Sequence, residues 1–147
     1  MDQKNLLVHL RKLYVGEMKI LGIGTDIVNI KRMDKSLKKH GKLFKRRIFS
    51  INEINYCESK KNPSSFYAKR FAAKEAFSKA LGTGIKGNIY FKSIEIHNDK
   101  SGKPSIKLNG YVNNYLKRKI KNKKYNIHLS LSDDIPWAQA TVIISYK

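Results

Sequence analysis

Residues 19–30 read KILGIGTDIVNI, a run of Ile and Val that carries two glycines and a single acid. The β-branched content predicts a buried strand from about Lys19 to Val28. A carboxylate left unpaired among Ile20, Ile23, Ile27 and Val28 would be costly to bury, so Asp26 calls for a cation or for hydrogen bonds. Two readings satisfy that need. Thr25 or Asp26 could cap a following helix, or Asp26 could meet a second acid around a divalent ion.

Outward from this strand the chain alternates between helical and extended patterns. Ile30, Met33, Leu37 and Phe44 recur at helical spacing among Lys31, Arg32, Lys35, Lys38 and Lys39, predicting a basic amphipathic helix interrupted at Gly41. Ser50 and Glu53 form a capping-box pattern that opens a helix to about Lys60, stopped by Asn62 and Pro63. The alanine-rich segment from about Ser65 to Leu81 is the strongest helix, and Gly82 suits its left-handed cap. NIYFKSIEIH and PSIKLNG flank the turn NDKSGK as a hairpin; residues 111–124 predict a second basic helix; NIHLSLS and WAQATVIISY flank DDIP as a second hairpin. The sum is an α+β fold, a mainly antiparallel sheet packed with helices. Residues 1–17 stand apart as an N-terminal extension, helical by the spacing of Leu6, Leu10 and Leu13, or the product of a start set ahead of Met18. Residues 18–147 then form a single domain, as a length of 147 suggests.

The totals narrow the function classes. Lys and Arg number 31 against 11 acids, a net charge of +20, which implies a polyanionic partner: nucleic acid, an acidic membrane surface, an acidic protein or a phosphorylated small molecule. One cysteine, Cys57, excludes an internal disulfide, fits a reducing cytosol and reads as structural. There is no apolar run of the roughly 20 residues a membrane helix needs, and the N-terminus lacks the apolar core of a signal peptide. The four histidines do not cluster as zinc ligands and no CxxC is present.

The chemistry concentrates in the 65–81 helix. At about 100° per residue, Phe66, Ala73, Ala76, Phe77, Ala80 and Leu81 share one side, with Lys74, Glu75, Ser78 and Lys79 on the other. Glu75 and Lys79 have the spacing of a surface ion pair, worth about 0.3–0.5 kcal/mol. Phe71, one turn before Glu75, breaks the polar side and points to a cleft or subunit contact covering it. The sharper reading sets Asp26 and Glu75 around Mg²⁺, a hard ion commonly held by one or two carboxylates with water and phosphate oxygens. Arg70, Lys74 and Lys79 would then stabilise those phosphates. The GTG of Gly82–Gly84 is a weak sign of a backbone phosphate cradle, and no Walker-type loop is present.

Four stretches occurring in order, GIGTDIVNIKRM (22–33), RFAAKEAFSKALGTGI (70–85), IEI (94–96) with SGKP (101–104), and LSLSDDIPWAQATVII (129–144), closely resemble the holo-[acyl-carrier-protein] synthase family. This is the short bacterial type of 4'-phosphopantetheinyl transferase, and the likeness covers about residues 18–146. The resemblance implies the fold of that family and transfer of phosphopantetheine from coenzyme A to a serine of apo acyl carrier protein, releasing 3',5'-ADP, for fatty acid biosynthesis. It implies Mg²⁺ on Asp26 and Glu75, with Glu75 and Lys79 catalytic. It further implies coenzyme A at Arg70, Lys74, Lys79, Gly82, Thr83, Gly84 and Ile85, and the acidic carrier protein at Arg32 and Arg47. A cytoplasmic homotrimer with sites at subunit interfaces, with neither nucleic acid nor membrane as partner, completes the expectation.

The sequence departs from the family pattern at Asp133, where many members have histidine, so a contact of that histidine with the nucleotide does not carry over. The group that takes the serine proton stays open: water held by Glu75 or by the metal, Asp133, or a carboxylate of the carrier. The rival readings are a small RNA-binding protein, which explains the charge but not Asp26 and Glu75, and a magnesium-dependent phosphohydrolase, in which water replaces the protein serine as acceptor.

Overall fold

The computed structural model describes residues 2–13 and 16–147. In chain order the elements are α1 (Gln3–Leu13), β1 (Lys19–Asn29), α2 (Ile30–Ile48), α3 (Ile51–Glu58), α4 (Pro63–Leu81), a single 3-10 turn (Phe91–Ser93), β2 (Ile94–Asn98), β3 (Pro104–Leu108), α5 (Gly110–Lys119), β4 (Tyr125–Asp134) and β5 (Trp137–Tyr146). The sheet order is β1-β5-β4, with β2-β3 as a separate hairpin, and every pairing is antiparallel. The α+β expectation holds, as do both hairpins. Residues 88–93 of the expected strand lie outside the first hairpin, because Phe91–Ser93 coil into the 3-10 turn.

The expected buried strand is an edge strand instead. β1 has one free side, and its faces differ: Ile23, Thr25 and Ile27 point outward, with Ile23 and Ile27 64% and 60% exposed, while Gly22, Gly24, Asp26 and Val28 face α4. Asp26 is therefore on the opposite face from the isoleucines that seemed to surround it. The glycines set the closeness of this contact. An added Cβ at Gly22 would stand 1.9 Å from the carbonyl oxygen of Ala80, and one at Gly24 1.8 Å from that of Ala76. Backbone thus lies directly on backbone.

Helix α4 runs through the middle of the molecule. Pro63 takes its first turn, where a missing N–H is harmless, and Gly82 ends it at φ 84°. Its expected polar side is divided: Lys74 and Ser78 are as buried as Ala76 and Phe77, while Glu75 is half-buried and Lys79 exposed. One apolar cluster joins α4 to the sheet, β2 and α5 through Phe77, Leu81, Ile94, Leu116, Val142 and Ile144. A second joins it to α2 and α3 through Met33, Phe49, Cys57 and Tyr67. Burial pushes the Cys57 thiol up to about 12, with the Arg70 charge opposing, so Cys57 is the inert packing group its sequence context suggests.

Two polar devices fix the flank. The Ser50–Glu53 capping box forms as its spacing predicts. Glu53 does more than cap: fully buried, it accepts from Lys74 Nζ at 2.8 Å and from the backbone N–H of Ile96 at 3.3 Å. The Lys74 ammonium also donates to the carbonyls of Phe91 and Ile94. Its burial lowers the Lys74 pKa, and Glu53 opposes that shift. Three acceptors around one ammonium make this a satisfied interior ion pair that ties α3, α4 and β2 together.

Candidate active site

Because Gly22 and Gly24 let α4 settle onto β1, the next residue on the same face, Asp26, comes beside the polar turn of that helix. Lys79 Nζ donates to Asp26 Oδ1 at 3.1 Å and to the carbonyl of Thr25 at 2.9 Å. The simple surface pair of Glu75 with Lys79 is absent; Lys79 bonds across to the strand. Among the described residues the Glu75 carboxylate has no ion pair or hydrogen bond. Partial burial raises its pKa, the negative charge of Asp26 raises it further, and Lys79 acts in the opposite sense. Two carboxylates that repel one another across a polar cleft are a donor set that a divalent cation would relieve.

The helix-cap reading of this region is settled elsewhere. Asn29 caps α2, accepting from the backbone N–H of Arg32 at 3.1 Å, whereas the Thr25 hydroxyl donates to the Ala140 carbonyl. That leaves Asp26 free for the cleft.

Asp26 and Glu75 line a cleft of about 470 Å³ with Arg32, Met33, Phe71 and Trp137. Phe71 stacks on Phe91 with ring centroids 5.1 Å apart and forms the apolar wall beside Glu75, which explains its place on that side of the helix. Ser36 and Phe44 belong both to this cleft and to a groove holding His40, Leu43 and Arg47. Arg32 and Arg47 therefore lie along one continuous surface of α2, even though Gly41 breaks the helical dihedrals between them.

Arg70 and Lys74 lie elsewhere. Arg70 is almost fully buried, stacks over the Tyr56 ring at 4.0 Å, and donates to Asn98 Oδ1. Its Nε has no acceptor among the described residues, and the residue lines a second cavity, of about 300 Å³, with Tyr56, Phe66, Lys69, Asn98 and Ser130. A cavity with two cations, aromatic walls and a free buried N–H suits an anionic aromatic ligand. Lys74, by contrast, is saturated inside the protein by Glu53 and two carbonyls, so it acts on any ligand through the packing of α3 and β2 and not by contact. Gly82, Thr83 and Gly84 direct their N–H groups back to the carbonyls of Lys79 and Ser78, which leaves no amide cradle for phosphate there. Neither they nor Ile85 line the two cavities.

Sequence reasoning passed over two contacts. Asp133 accepts from Lys69 Nζ at 3.0 Å and Ser65 Oγ at 3.3 Å, fastening β4 to the head of α4 beside the second cavity. Asp133 does not line the cleft of Asp26 and Glu75. The other is the Glu53–Lys74 pair, whose only signal was an acid at a capping position within a lysine-rich chain.

The fold and the paired-carboxylate cleft define a class. The sequence profile of the 4'-phosphopantetheinyl transferase superfamily matches residues 22–139, and the chain belongs to that superfamily. Within it, the relatives are holo-[acyl-carrier-protein] synthases. That of Pelagibacter ubique is 48% identical over 130 residues, 88% of this chain and 100% of the relative. The crystal structure of the synthase from Neisseria meningitidis superposes with a TM-score of 0.77 at 39% identity, covering 86% of this chain and 98% of that one. The Bacillus anthracis synthase, solved in complex with CoA (3',5'-ADP), superposes with a TM-score of 0.72 at 37% identity over 89% and 100% of the two chains.

Proposed function

We propose that this protein transfers the 4'-phosphopantetheine group from coenzyme A to a serine of apo acyl carrier protein, giving the holo carrier and 3',5'-ADP. The observation that carries the reading is the cleft lined by Asp26 and Glu75, with Lys79 bonded to Asp26 beside it, set in a fold shared with synthases of that name. The serine oxygen forms a bond to the β-phosphorus, the bond from that phosphorus to the 3',5'-ADP oxygen breaks, and the serine proton is lost.

Asp26 and Glu75 would hold Mg²⁺. Two carboxylates suffice, since water and pyrophosphate oxygens complete such a shell, and no group of three or more His, Cys, Asp or Glu gathers among the described residues. Bound there, the ion polarises the pyrophosphate and offsets charge in the transition state. Lys79, held at the cleft by Asp26 and the Thr25 carbonyl, supplies a fixed positive charge to the same oxygens. Water bound at Glu75 is the favoured proton acceptor. Asp133 is less suited, because it is engaged by Lys69 outside the cleft.

Coenzyme A also needs a place for its nucleotide, and the Arg70 cavity has the chemistry for it. Arg70 and Glu75 are five residues apart on α4, about 140° around the helix, so one chain presents them to different sides. A homotrimer with sites between subunits would bring the cavity of one copy and the cleft of another to one ligand. The exposed Ile20, Ile23 and Ile27 of edge strand β1, beside Trp137, offer the apolar contact such an assembly requires. Arg32 and Arg47 would steer the acidic carrier onto the surface of α2.

Intact-mass spectrometry of apo acyl carrier protein incubated with this protein, coenzyme A and Mg²⁺, beside a chelated control, tests the reading. The carrier should gain one phosphopantetheine only with the metal present. No gain by a carrier that a proven transferase modifies would overturn it, and release of phosphate to water would favour a phosphohydrolase.

A further inference from the structure

We infer that the end of the molecule opposite the cleft is a docking surface for anionic lipid. Two independent features meet there. The first is α1, whose described side chains are all exposed, so that none of its leucines is covered by the body of the protein. Leu6, Leu10 and Leu13 share one stripe, exposed at 42%, 40% and 69%, while Lys4 and Arg11 lie on the opposite side and the helix contains no acid.

The second feature is a block of lysines around the turn from α5 to β4. Lys117, Lys123, Lys124 and Lys147 surround a shallow groove of about 440 Å³, and the backbone N–H of Lys147 bonds the carbonyl of Lys124. Strand register places the start of β1, which follows α1 in the chain, at this same end. Tyr146 pairs with Tyr125 on one side and with Lys19 on the other, and α1 ends six residues before Lys19. Asp26 is seven residues further along β1, roughly 23 Å away at the usual rise of a strand. The reaction cleft would remain open to solution with this end engaged.

The pairing of an apolar stripe with a basic cluster identifies the partner. An amphipathic helix lies in the plane of a membrane surface with its apolar side among the acyl chains, and lasting attachment takes a second signal such as a polybasic patch. Nucleic acid would match the lysines but gives an exposed leucine stripe nothing to enter. A bundle of α1 helices from several copies would pair segments of 11 residues, short of the roughly 12–15 at which isolated helices become stable. No described helix is long and apolar enough to cross a membrane, so the contact is peripheral.

Co-sedimentation of the full chain with vesicles tests this at physiological salt, comparing mixed phosphatidylglycerol and phosphatidylcholine with phosphatidylcholine alone. Binding should require the anionic lipid. Lys117→Ala with Lys124→Ala should weaken it about twenty-five-fold, from about fivefold for each basic residue at such a surface. Leu6→Asp with Leu10→Asp, both at exposed positions where folding is not at stake, should weaken it at least about tenfold. Carrier modification in vesicle-free solution should be unchanged in all these variants, so loss of docking and loss of catalysis separate. Failure of the wild-type chain to bind anionic vesicles, or binding that the leucine variant leaves intact, would overturn the inference; the second result would assign the attraction to net charge alone.

Discussion

Gly24→Ala adds one methyl group where β1 and α4 touch backbone to backbone. Its carbon would fall 1.8 Å from the Ala76 carbonyl oxygen and 2.7 Å from the Ala80 nitrogen, against the 3.0 Å below which real contacts essentially never occur. Neither atom belongs to a flexible side chain, so strand and helix must separate by roughly 1 Å or more. Overpacking of this kind costs about 1–3 kcal/mol, which for a chain of this size lowers the melting temperature by about 3–10 °C. The same separation moves Asp26 away from Glu75 and stretches its 3.1 Å bond to Lys79. A misplacement of about 1 Å among catalytic groups lowers turnover about a hundredfold. The assay is carrier modification by intact mass with a thermal melt of the same preparation, and Gly110→Ala is the control, because the added methyl meets nothing within 4 Å there. A Gly24→Ala protein with wild-type turnover and melting temperature would refute the claim that glycine sets the site's geometry.

The remaining predictions concern charge. Glu75→Gln should abolish most metal-dependent turnover yet stabilise the chelated protein at neutral pH. The native carboxyl has a raised pKa and binds its proton more tightly than the unfolded chain does, so wild-type stability falls as pH rises from the ordinary carboxylate range through the raised value; melting curves of the two proteins that stay parallel across that window would sink this reasoning. Lys74→Met strands the buried Glu53 carboxylate and should cost about 3–5 kcal/mol, with partial recovery when Glu53→Met is added; a melting temperature within about 2 °C of wild type would show the pair to be dispensable. Arg32→Glu should raise the apparent KM for the carrier with little change in kcat, since a steering charge acts on encounter, and an unchanged KM would place docking away from α2.

Much of the fold was legible because local rules agreed. Capping at Ser50, the left-handed end at Gly82 and the two hairpins depend on neighbours a few residues apart, and all form, the first hairpin with a shorter first strand than the spacing suggests. Reading failed where burial overrode polarity. Lys74 sits among alanines at a position that a polar-face pattern assigns to solvent, and Glu53, 21 residues earlier, together with the Phe91 and Ile94 carbonyls makes its burial tolerable. The isoleucines of β1 misled in the other direction: they read as core, yet three of them are exposed at the sheet edge.

The sequence by itself determined most of the helices and strands, because residue type and spacing act over one or two turns of chain. It could not say that Lys79 bonds Asp26 in preference to Glu75, or that Asp26 and Glu75 line one cleft. Those outcomes belong to tertiary structure, since they turn on how closely two backbones approach. Two glycines without side chains let the strand lie on the helix, and that contact decides which charges share a cleft.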